Sequence, residues 1–376
     1  MRIFVPRETD ASDLRVPIVP ATVAKLIRLG AGVATEAALG QTINLTDRQY
    51  REAGAEVAGR AAGFAGADMV LRLRKPDEKD TRAMRKGTIH ISFLDPFNDL
   101  ELVRLLASAG VSAISMEMVP RSTIAQKMDT LSSQANLAGY NAVILAAGHL
   151  DKVFPMMMTP SGTITPARVF VIGVGVAGLQ AIATAKRLGA TVEAFDTRPV
   201  VEEQVKSLGA RFVKADLGDT GQTAQGYAVE LTPEQMEKQR EAMAKVCAQA
   251  DVVITTAQLF GRKAPRVVTT AMVAQMKPGS VVVDMAVESG GNVECSRLGE
   301  IVSVGGVKVL GFPNLAGRTP RTASDMYSNN LGNFVEHFWD KNEKTFRLDP
   351  QHDIIKGCLI THEGNVVNET IRKLLT

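Results

Sequence analysis

Residues 167–197 read ARVFVIGVGVAGLQAIATAKRLGATVEAFDT, and this stretch contains the pattern that decides the fold. The apolar run 168–172 predicts a strand, and a helical pattern follows it after glycines at Gly173, Gly175 and Gly178. In a strand–turn–helix unit with this spacing, the first glycine permits the tight turn and the second lets the backbone approach a pyrophosphate. The third allows the helix to pack closely on the strand. The motif therefore predicts a dinucleotide site at the start of a βαβ unit.

An acidic residue at the end of the next predicted strand supports this interpretation. Asp196 lies 23 residues after the first glycine of the motif, where a carboxylate binds the ribose hydroxyls of NAD and repels the additional phosphate of NADP. The neighbouring Thr197 and Arg198 are assigned to the same site, and Arg198 softens the preference for NAD. The helix that starts at Val176 and Ala177 directs its N–H groups and its positive dipole end at the phosphates.

Polar groups at later strand ends extend the predicted site. Ala257 and Gln258 follow the apolar run 251–255, and Asn314 follows another apolar run. Because open α/β sheets bind ligands at the carboxyl ends of their strands, these three residues are candidate cofactor contacts. For Asp284 and Glu288, the sequence is equally compatible with cofactor contact and with a capping or turn role.

Two series of alternating strands and helices define the fold class. Strands are predicted at 2–5, 32–36, 68–73, 88–93 and 111–117, and then at 168–172, 191–195, 210–213, 251–255, 280–284 and 307–310. Helices are predicted at 20–29, 47–53, 100–109, 176–188, 233–248 and 269–276, with longer ones at 128–150 and 325–338. Strands separated by helices favour parallel sheets. We therefore expect an α/β chain of two Rossmann-like domains with parallel sheets, joined by long helices around a cleft. The expected domains are 1–127 plus 326–376, and 128–325.

The composition excludes several functional classes. Of the 376 residues, 45% are hydrophobic and 22% are charged, which is typical of a folded globular protein, and a net charge of +3 is too small to indicate nucleic-acid binding. The three cysteines lack the spacing of a zinc site or of a disulfide framework, so no metal is predicted. The uncharged runs 131–150 and 169–185 are too polar, or too short and glycine-rich, to span a membrane.

The segment 216–231, DLGDTGQTAQGYAVEL, has three glycines and few apolar residues. One interpretation is a mobile surface loop. A loop of this length in a compact domain is also often a lid or a contact element.

Four stretches carry a resemblance to a known family. They are PRET…RVPIVP near the start, MVPRSTIAQKMDTLSSQANLAGY at 118–140, FPMMMTPSGTITPARVFVIGVGVAGLQAIATAKRLGA at 154–190, and MKPGSVVVDMAVESGGN at 276–292. Over essentially its whole length, the chain closely resembles the NAD(H)-binding component of proton-translocating NAD(P) transhydrogenases. This component is domain I, the first portion of the alpha subunit, and it is related to alanine dehydrogenase.

The resemblance implies the partners. It implies a homodimer that binds NAD(H), a second component that holds NADP(H), and a membrane-spanning component that couples direct hydride transfer to proton translocation. Activity would then need all the components, and the chain would lie in the cytoplasm, held at the inner face of the cell membrane through its partners.

The resemblance also implies the residues beside the nicotinamide. In the family, the loop PR-x(4)-Q-x(2)-D-x(2)-S lies there. Carried over to this chain, Gln126 positions the dihydronicotinamide ribose, Arg121, Asp129 and Ser132 fix the ring and carboxamide, and Tyr227 matches the family's closing loop. Direct hydride transfer requires two oriented carbons about 3–3.5 Å apart and no general base, which suits these residue types.

Two other functions stay open. An alanine dehydrogenase needs an acid–base group and a cation for the substrate carboxylate. At the corresponding lysine and histidine positions this chain has Arg74 and Phe93, and His90 falls on the opposite face of its strand by alternation. A non-catalytic NAD-binding module is the second alternative. Without the family, Arg121 and Asp129 are also compatible with a plain surface ion pair.

Overall fold

The computed structural model describes residues 1–218, 220–221, 231–258 and 261–375. The chain divides into two compact units. Unit 1 is Met1–Gln134 with Thr319–Thr376, and unit 2 is Ala135–Arg318. The sequence placed the limits at 127/128 and 325/326, whereas the first limit of the units falls inside a long helix and the second just before another.

The strands are, in chain order, β1 (Arg2–Val5), β2 (Gly32–Glu36), β3 (Glu56–Ala58), β4 (Met69–Leu71), β5 (Ile89–Ser92), β6 (Ser112–Ser115), β7 (Met157–Thr159), β8 (Gly162–Ile164), β9 (Arg168–Ile172), β10 (Thr191–Phe195), β11 (Arg211–Phe212), β12 (Val252–Thr255), β13 (Val281–Asp284), β14 (Ile301–Val304), β15 (Val307–Leu310), β16 (Trp339–Asp340), β17 (Thr345–Phe346), β18 (Leu359–His362) and β19 (Asn365–Val366). The helices are α1 (Pro20–Arg28), α2 (Asp47–Glu52), α3 (Arg60–Gly66), α4 (Glu78–Ala83), α5 (Leu100–Ser108), α6 (Thr130–His149), α7 (Val176–Arg187), α8 (Glu202–Ser207), α9 (Pro233–Gln249), α10 (Thr270–Ala274), α11 (Pro320–His337), α12 (Asp353–Cys358) and α13 (Glu369–Arg372).

Unit 1 is built on a sheet with the order β19-β18-β6-β5-β4-β1-β2-β3. The strands from β6 to β3 are parallel, and β18 joins the edge antiparallel to β6. Successive residues of β1 serve different layers, since Ile3 and Val5 belong to one apolar core and Phe4 belongs to another. A sheet buried on both faces in this way needs the continuous apolar strands that the sequence has.

A buried ion-pair network lies on the Phe4 side of this sheet. The guanidinium of Arg72, which is fully buried, contacts the carboxylates of Glu8 and Asp80 at 3.1 and 2.6 Å. Arg60, on α3, also pairs with Asp80. Because a buried charge needs a partner of opposite sign, this network fixes the segment after β1 against the segment after β4.

Unit 2 is built on a sheet with the order β11-β10-β9-β12-β13-β15-β14. The strands are parallel except β14, which pairs antiparallel with β15. In the register of the sheet, the last residues of β10, β9, β12 and β13 are aligned across the strands: Phe195, Ile172, Thr255 and Asp284. The segments that follow these four strands therefore begin at one edge of the sheet, where an α/β sheet binds its ligands.

The α/β fold class with two parallel-rich sheets is confirmed. The short helices α3 and α4 were not predicted, because six or seven residues show too little helical periodicity. Within the described part of the chain, no helix combines the length and the hydropathy that a membrane span requires.

Candidate functional site

The turn between β9 and α7 depends on its first glycine. Gly173 has φ +94°, a conformation that L side chains rarely adopt, and a β-carbon there would lie 2.6 Å from the hydroxyl oxygen of Thr256. That hydroxyl donates a hydrogen bond to the carbonyl oxygen of Gly173 at 3.0 Å. The turn after β9 is thus held against the segment after β12, and a side chain at Gly173 would separate them.

The third glycine of the motif brings the helix onto the turn. A β-carbon at Gly178 would overlap the carbonyl oxygen of Gly173, so only glycine fits this position. A glycine outside the motif acts in the same way: a β-carbon at Gly139, in α6, would overlap the carbonyl oxygen of Ala177. The sequence analysis missed Gly139 as part of the site, although an isolated glycine inside a long helical pattern is a known sign of close packing.

The second glycine faces space that the described residues leave open. A β-carbon at Gly175 would meet none of their atoms within 4 Å, so packing among them does not require glycine there. Gly175 precedes the first residue of α7, and no side chain of the described residues caps this helix. The first N–H groups of a helix have no acceptor within the helix, and they bind anions readily. The turn is therefore a cradle that fits a phosphate group, beginning at Val176 and Ala177.

Asp196 lies at the neighbouring strand end and is nearly buried. The segment after β9 meets it directly, because the N–H of Val174 donates to Oδ2 of Asp196 at 2.7 Å. The main-chain N–H and Nε of Arg198 both donate to Oδ1 at 2.9 Å, and Nη2 of Arg198 donates to Oδ2 at 2.8 Å. Hydrogen bonding to Asp196 raises the pKa of the Arg198 guanidinium despite its partial burial. The carbonyl oxygen of Thr197 accepts a hydrogen bond from the hydroxyl of Thr220.

Asp284 is a structural residue. Its carboxylate, which has no exposed surface, accepts hydrogen bonds from the main-chain N–H groups of Ala286, Asn292 and Val293 at 3.0–3.1 Å. Of the two roles that the sequence left open, turn capping is the one observed. Glu288 also binds main chain, since its Oε2 accepts from the N–H of Asn314 at 2.9 Å.

The remaining predicted contacts surround the same edge of the sheet. The carbonyl oxygen of Ala257 accepts a hydrogen bond from the Asn292 side chain at 2.8 Å, and the side chain of Gln258 is exposed. Asn314 has φ +49°, and its side-chain oxygen accepts from the N–H of Gly317 at 3.2 Å. Ala257 and Gln258 directly follow the segment that holds Gly173, so their place fits the predicted role.

The predicted nicotinamide loop lies in unit 1. The carboxylate of Asp129, directly before α6, accepts hydrogen bonds from the N–H and the hydroxyl of Ser132 at 2.8 and 2.6 Å. Nε of Arg121 lies 3.9 Å from Oδ2 of the same carboxylate. Gln126 is on a 3₁₀ helix, Ile124–Met128, with its side chain exposed to solvent. The structure therefore brings Arg121, Asp129 and Ser132 together and places Gln126 on the adjoining helical turn.

One predicted residue lies outside the described part of the chain. Tyr227 belongs to 222–230, and these residues, with 219, make up most of the segment that the sequence suggested as a closing loop.

The positions that an alanine dehydrogenase would use have structural roles here. Burial, together with the charge of Arg72, lowers the pKa of His90 to about 3, and Nε2 of this histidine is 2.9 Å from the Ser92 hydroxyl. Phe93 packs against Tyr327 with ring centroids 5.2 Å apart. Nε of Arg74 donates to the Asp13 carboxylate at 2.7 Å. A fully buried histidine that stays neutral cannot exchange protons with a substrate in solution.

Comparison with known proteins covers the chain from end to end. Residues 4–138 match the family described as alanine dehydrogenase/PNT, N-terminal domain, and residues 142–369 match alanine dehydrogenase/PNT, C-terminal domain. The first portion of NAD(P) transhydrogenase subunit alpha from Rhodospirillum rubrum, a separate chain, is 42% identical, with 99% of each chain covered. Alanine dehydrogenase of Mycolicibacterium smegmatis is 30% identical, over 99% of this chain and 96% of that protein.

A solved structure agrees with these matches. The transhydrogenase from Sinorhizobium meliloti has a TM-score of 0.89 and 43% identity to this chain, and the match covers 98% of this chain and 100% of that one. The likeness therefore extends to both units and to sequence as well as fold.

Proposed function

This chain belongs to the alanine dehydrogenase/PNT family, and from that premise we propose that it is the NAD(H)-binding component of a proton-translocating NAD(P) transhydrogenase. The observation that carries the proposal is the 42% identity, over 99% of both chains, to the first portion of a transhydrogenase alpha subunit. Bound NADH supplies a hydride, which NADP⁺ on a partner component accepts. The residues of this chain bind and orient the dinucleotide.

The nucleotide site lies at the carboxyl edge of the sheet of unit 2. The open space in front of Gly175 and the uncapped start of α7 support pyrophosphate binding there. Asp196 would accept hydrogen bonds from the adenosine ribose, with Thr197 and Arg198 beside it. Ala257, Gln258 and Asn314 would form the further contacts, since they follow β12 and β15 on the same edge.

The loop before α6 would hold the nicotinamide. The amide of Gln126 is exposed and free to hydrogen-bond a ribose, while Arg121, Asp129 and Ser132 form a compact polar group able to bind a carboxamide. Tyr227 is proposed for the closing loop on its sequence match alone. Hydride transfer between two nicotinamides needs orientation and exclusion of water and no proton acceptor, so such a site needs no histidine.

The partners are a second copy of this chain, an NADP(H)-binding component, and a membrane-spanning component that keeps the chain at the membrane surface. The hairpin of β7 and β8 supports the dimer. All of its residues are exposed, and Met156, Met157, Met158 and Ile164 present apolar surface on it. An isolated two-stranded hairpin is marginal in water, and exposed apolar surface marks contact sites.

Alanine dehydrogenase activity is disfavoured by the chemistry of unit 1. Removing hydride from an amine requires a group that takes its proton. His90 is fully buried, Phe93 has no titratable group, and Arg74 is paired with Asp13. A non-catalytic NAD-binding module has no observation in its favour beyond the site that the transhydrogenase component also needs.

NADH absorbance tests the proposal in two arms. With pyruvate and ammonium as the only acceptor, we expect no oxidation of NADH at catalytic concentrations of a chain that is shown to bind NADH. With the NADP(H)-binding component of a transhydrogenase and NADP⁺, we expect steady oxidation. Oxidation in the first arm, or none in the second despite NADH binding, would contradict the proposed function.

A further inference from the structure

The two carboxylate oxygens of Asp196 are already fully engaged by protein donors. Oδ1 accepts two hydrogen bonds, from the main-chain N–H and from Nε of Arg198, both at 2.9 Å. Oδ2 accepts two more, from the main-chain N–H of Val174 at 2.7 Å and from Nη2 of Arg198 at 2.8 Å. Since a carboxylate oxygen has two lone pairs, a ribose hydroxyl can bind Asp196 only when one of these donors leaves.

The donor that can leave is the guanidinium. The other two are main-chain N–H groups, and each is fixed by the turn to which it belongs. The guanidinium ends a flexible side chain that is 13% exposed, and its Nη2 makes a further, longer hydrogen bond of 3.2 Å to the carbonyl oxygen of Val174. Ribose binding at Asp196 would therefore break the side-chain contacts of Arg198 and keep the main-chain ones.

We propose that Arg198 sets the selectivity of this site between NAD(H) and NADP(H), by competing with the ribose hydroxyls for Asp196 and by offering its charge to a 2′-phosphate. This inference rests on the nucleotide site proposed above. The hydroxyls of NAD(H) are donors, so they need the lone pairs that the guanidinium occupies. The 2′-phosphate of NADP(H) is an acceptor and an anion, so it needs the guanidinium itself, which binds phosphate in a bidentate manner.

The charge balance at the site leads to the same conclusion. An isolated aspartate would repel a 2′-phosphate, and this repulsion is the usual basis of selectivity for NAD(H). Here the nearly buried carboxylate has a cation bound to both of its oxygens, so the pair has no net charge. Removing the cation would restore the repulsion and also free the lone pairs. The two effects change the affinities for NADH and NADPH in opposite directions.

The experiment measures dissociation constants for NADH and NADPH by nucleotide fluorescence, on the full chain and on three variants. In Arg198→Met, we expect NADH to bind as tightly or more tightly and NADPH to bind more weakly. The ratio of the NADPH to the NADH dissociation constant should rise about tenfold, the size of one charge-assisted contact. Arg198→Lys keeps the charge and should hold the ratio within about threefold of the wild type. Asp196→Asn should lower the ratio, because the repelling charge is lost and the cation remains.

A merely structural role of Arg198 gives a different result. If Arg198→Met weakened both nucleotides by the same factor, or left the ratio unchanged, the inference would be wrong. It would also be wrong if Arg198→Met and Asp196→Asn moved the ratio in the same direction. The melting temperature of each variant identifies loss of folding, and the ratio of two constants measured on one sample does not depend on the folded fraction. Wild-type chain that binds no NADH would contradict the proposed site itself.

Discussion

The carboxylate of Asp129 accepts two hydrogen bonds from Ser132, one from the main-chain N–H at 2.8 Å and one from the hydroxyl at 2.6 Å. By position, Asp129 is the N-cap of α6, and Ser132 is the third residue of that helix. One side chain thus stabilises the helix start and belongs to the proposed nicotinamide loop. Its two roles can be separated by substitution.

Asp129→Ala removes the cap and the charge, whereas Asp129→Asn removes only the charge. We expect Asp129→Ala to lower the free energy of unfolding by about 1 kcal/mol, and Asp129→Asn to lower it by less than half of that. Both variants should slow hydride transfer in the presence of the NADP(H)-binding partner. Urea denaturation and transfer kinetics measure the two effects, and a wild-type transfer rate in Asp129→Asn would exclude a role for the carboxylate beside the nicotinamide.

Gln126→Ala tests orientation separately from binding. The side chain is exposed, so its loss should leave the melting temperature unchanged. NADH binding should stay within about tenfold of the wild type, which corresponds to about 1.4 kcal/mol, while hydride transfer slows far more because orientation is lost. Equal losses in NADH affinity and in transfer rate would show that Gln126 only contributes to binding.

His90 should make stability depend on pH. Burial, and secondarily the charge of Arg72, lowers the pKa of His90 from 6.5 to about 3. Between these values the unfolded chain binds a proton at this histidine and the folded chain does not, so the free energy of unfolding falls as pH falls from 6.5 towards 3. In His90→Gln this component is absent. The fall between about pH 6 and pH 4 should be shallower by up to about 1.4 kcal/mol per pH unit.

Urea denaturation at about pH 6, 5 and 4 measures that slope. Glutamine retains a polar group that can hydrogen-bond the Ser92 hydroxyl, so the comparison reports mainly the proton. Parallel pH profiles for the wild type and His90→Gln would show that His90 does not carry the pH dependence.

The sequence predicted the strands around the nucleotide site closely, because buried parallel strands are continuous apolar runs. The predicted limits of β1, β2, β9, β10 and β15 are the observed ones. It did not predict β14, whose residues alternate between exposed and half-buried at the edge of the sheet. Helix limits were less accurate where the first turn is polar: α11 begins at Pro320, whereas the predicted start was 325.

The candidate site was predicted as a set of residues and less well as a set of contacts. The spacing of the glycines indicated why Gly173 and Gly178 must be glycine, since that follows from local geometry. Asp284 looked like a possible ligand because it ends a strand, yet its carboxylate binds three main-chain N–H groups. The saturation of Asp196 by Arg198 was also beyond the reach of the sequence, because side-chain pairing depends on rotamers that no spacing rule determines.

The most direct test of the central claim, that the edge of the sheet in unit 2 binds NADH, compares two glycines of the motif by NADH fluorescence titration. At Gly175, alanine has space and an accessible backbone conformation, with φ −83°, so Gly175→Ala should keep the wild-type melting temperature. It should nevertheless bind NADH at least tenfold more weakly (about 1.4 kcal/mol), because its methyl group enters the phosphate cradle. Gly178→Ala, the control, should lose both stability and binding. Wild-type chain without NADH affinity, or Gly175→Ala with wild-type affinity, would contradict the account.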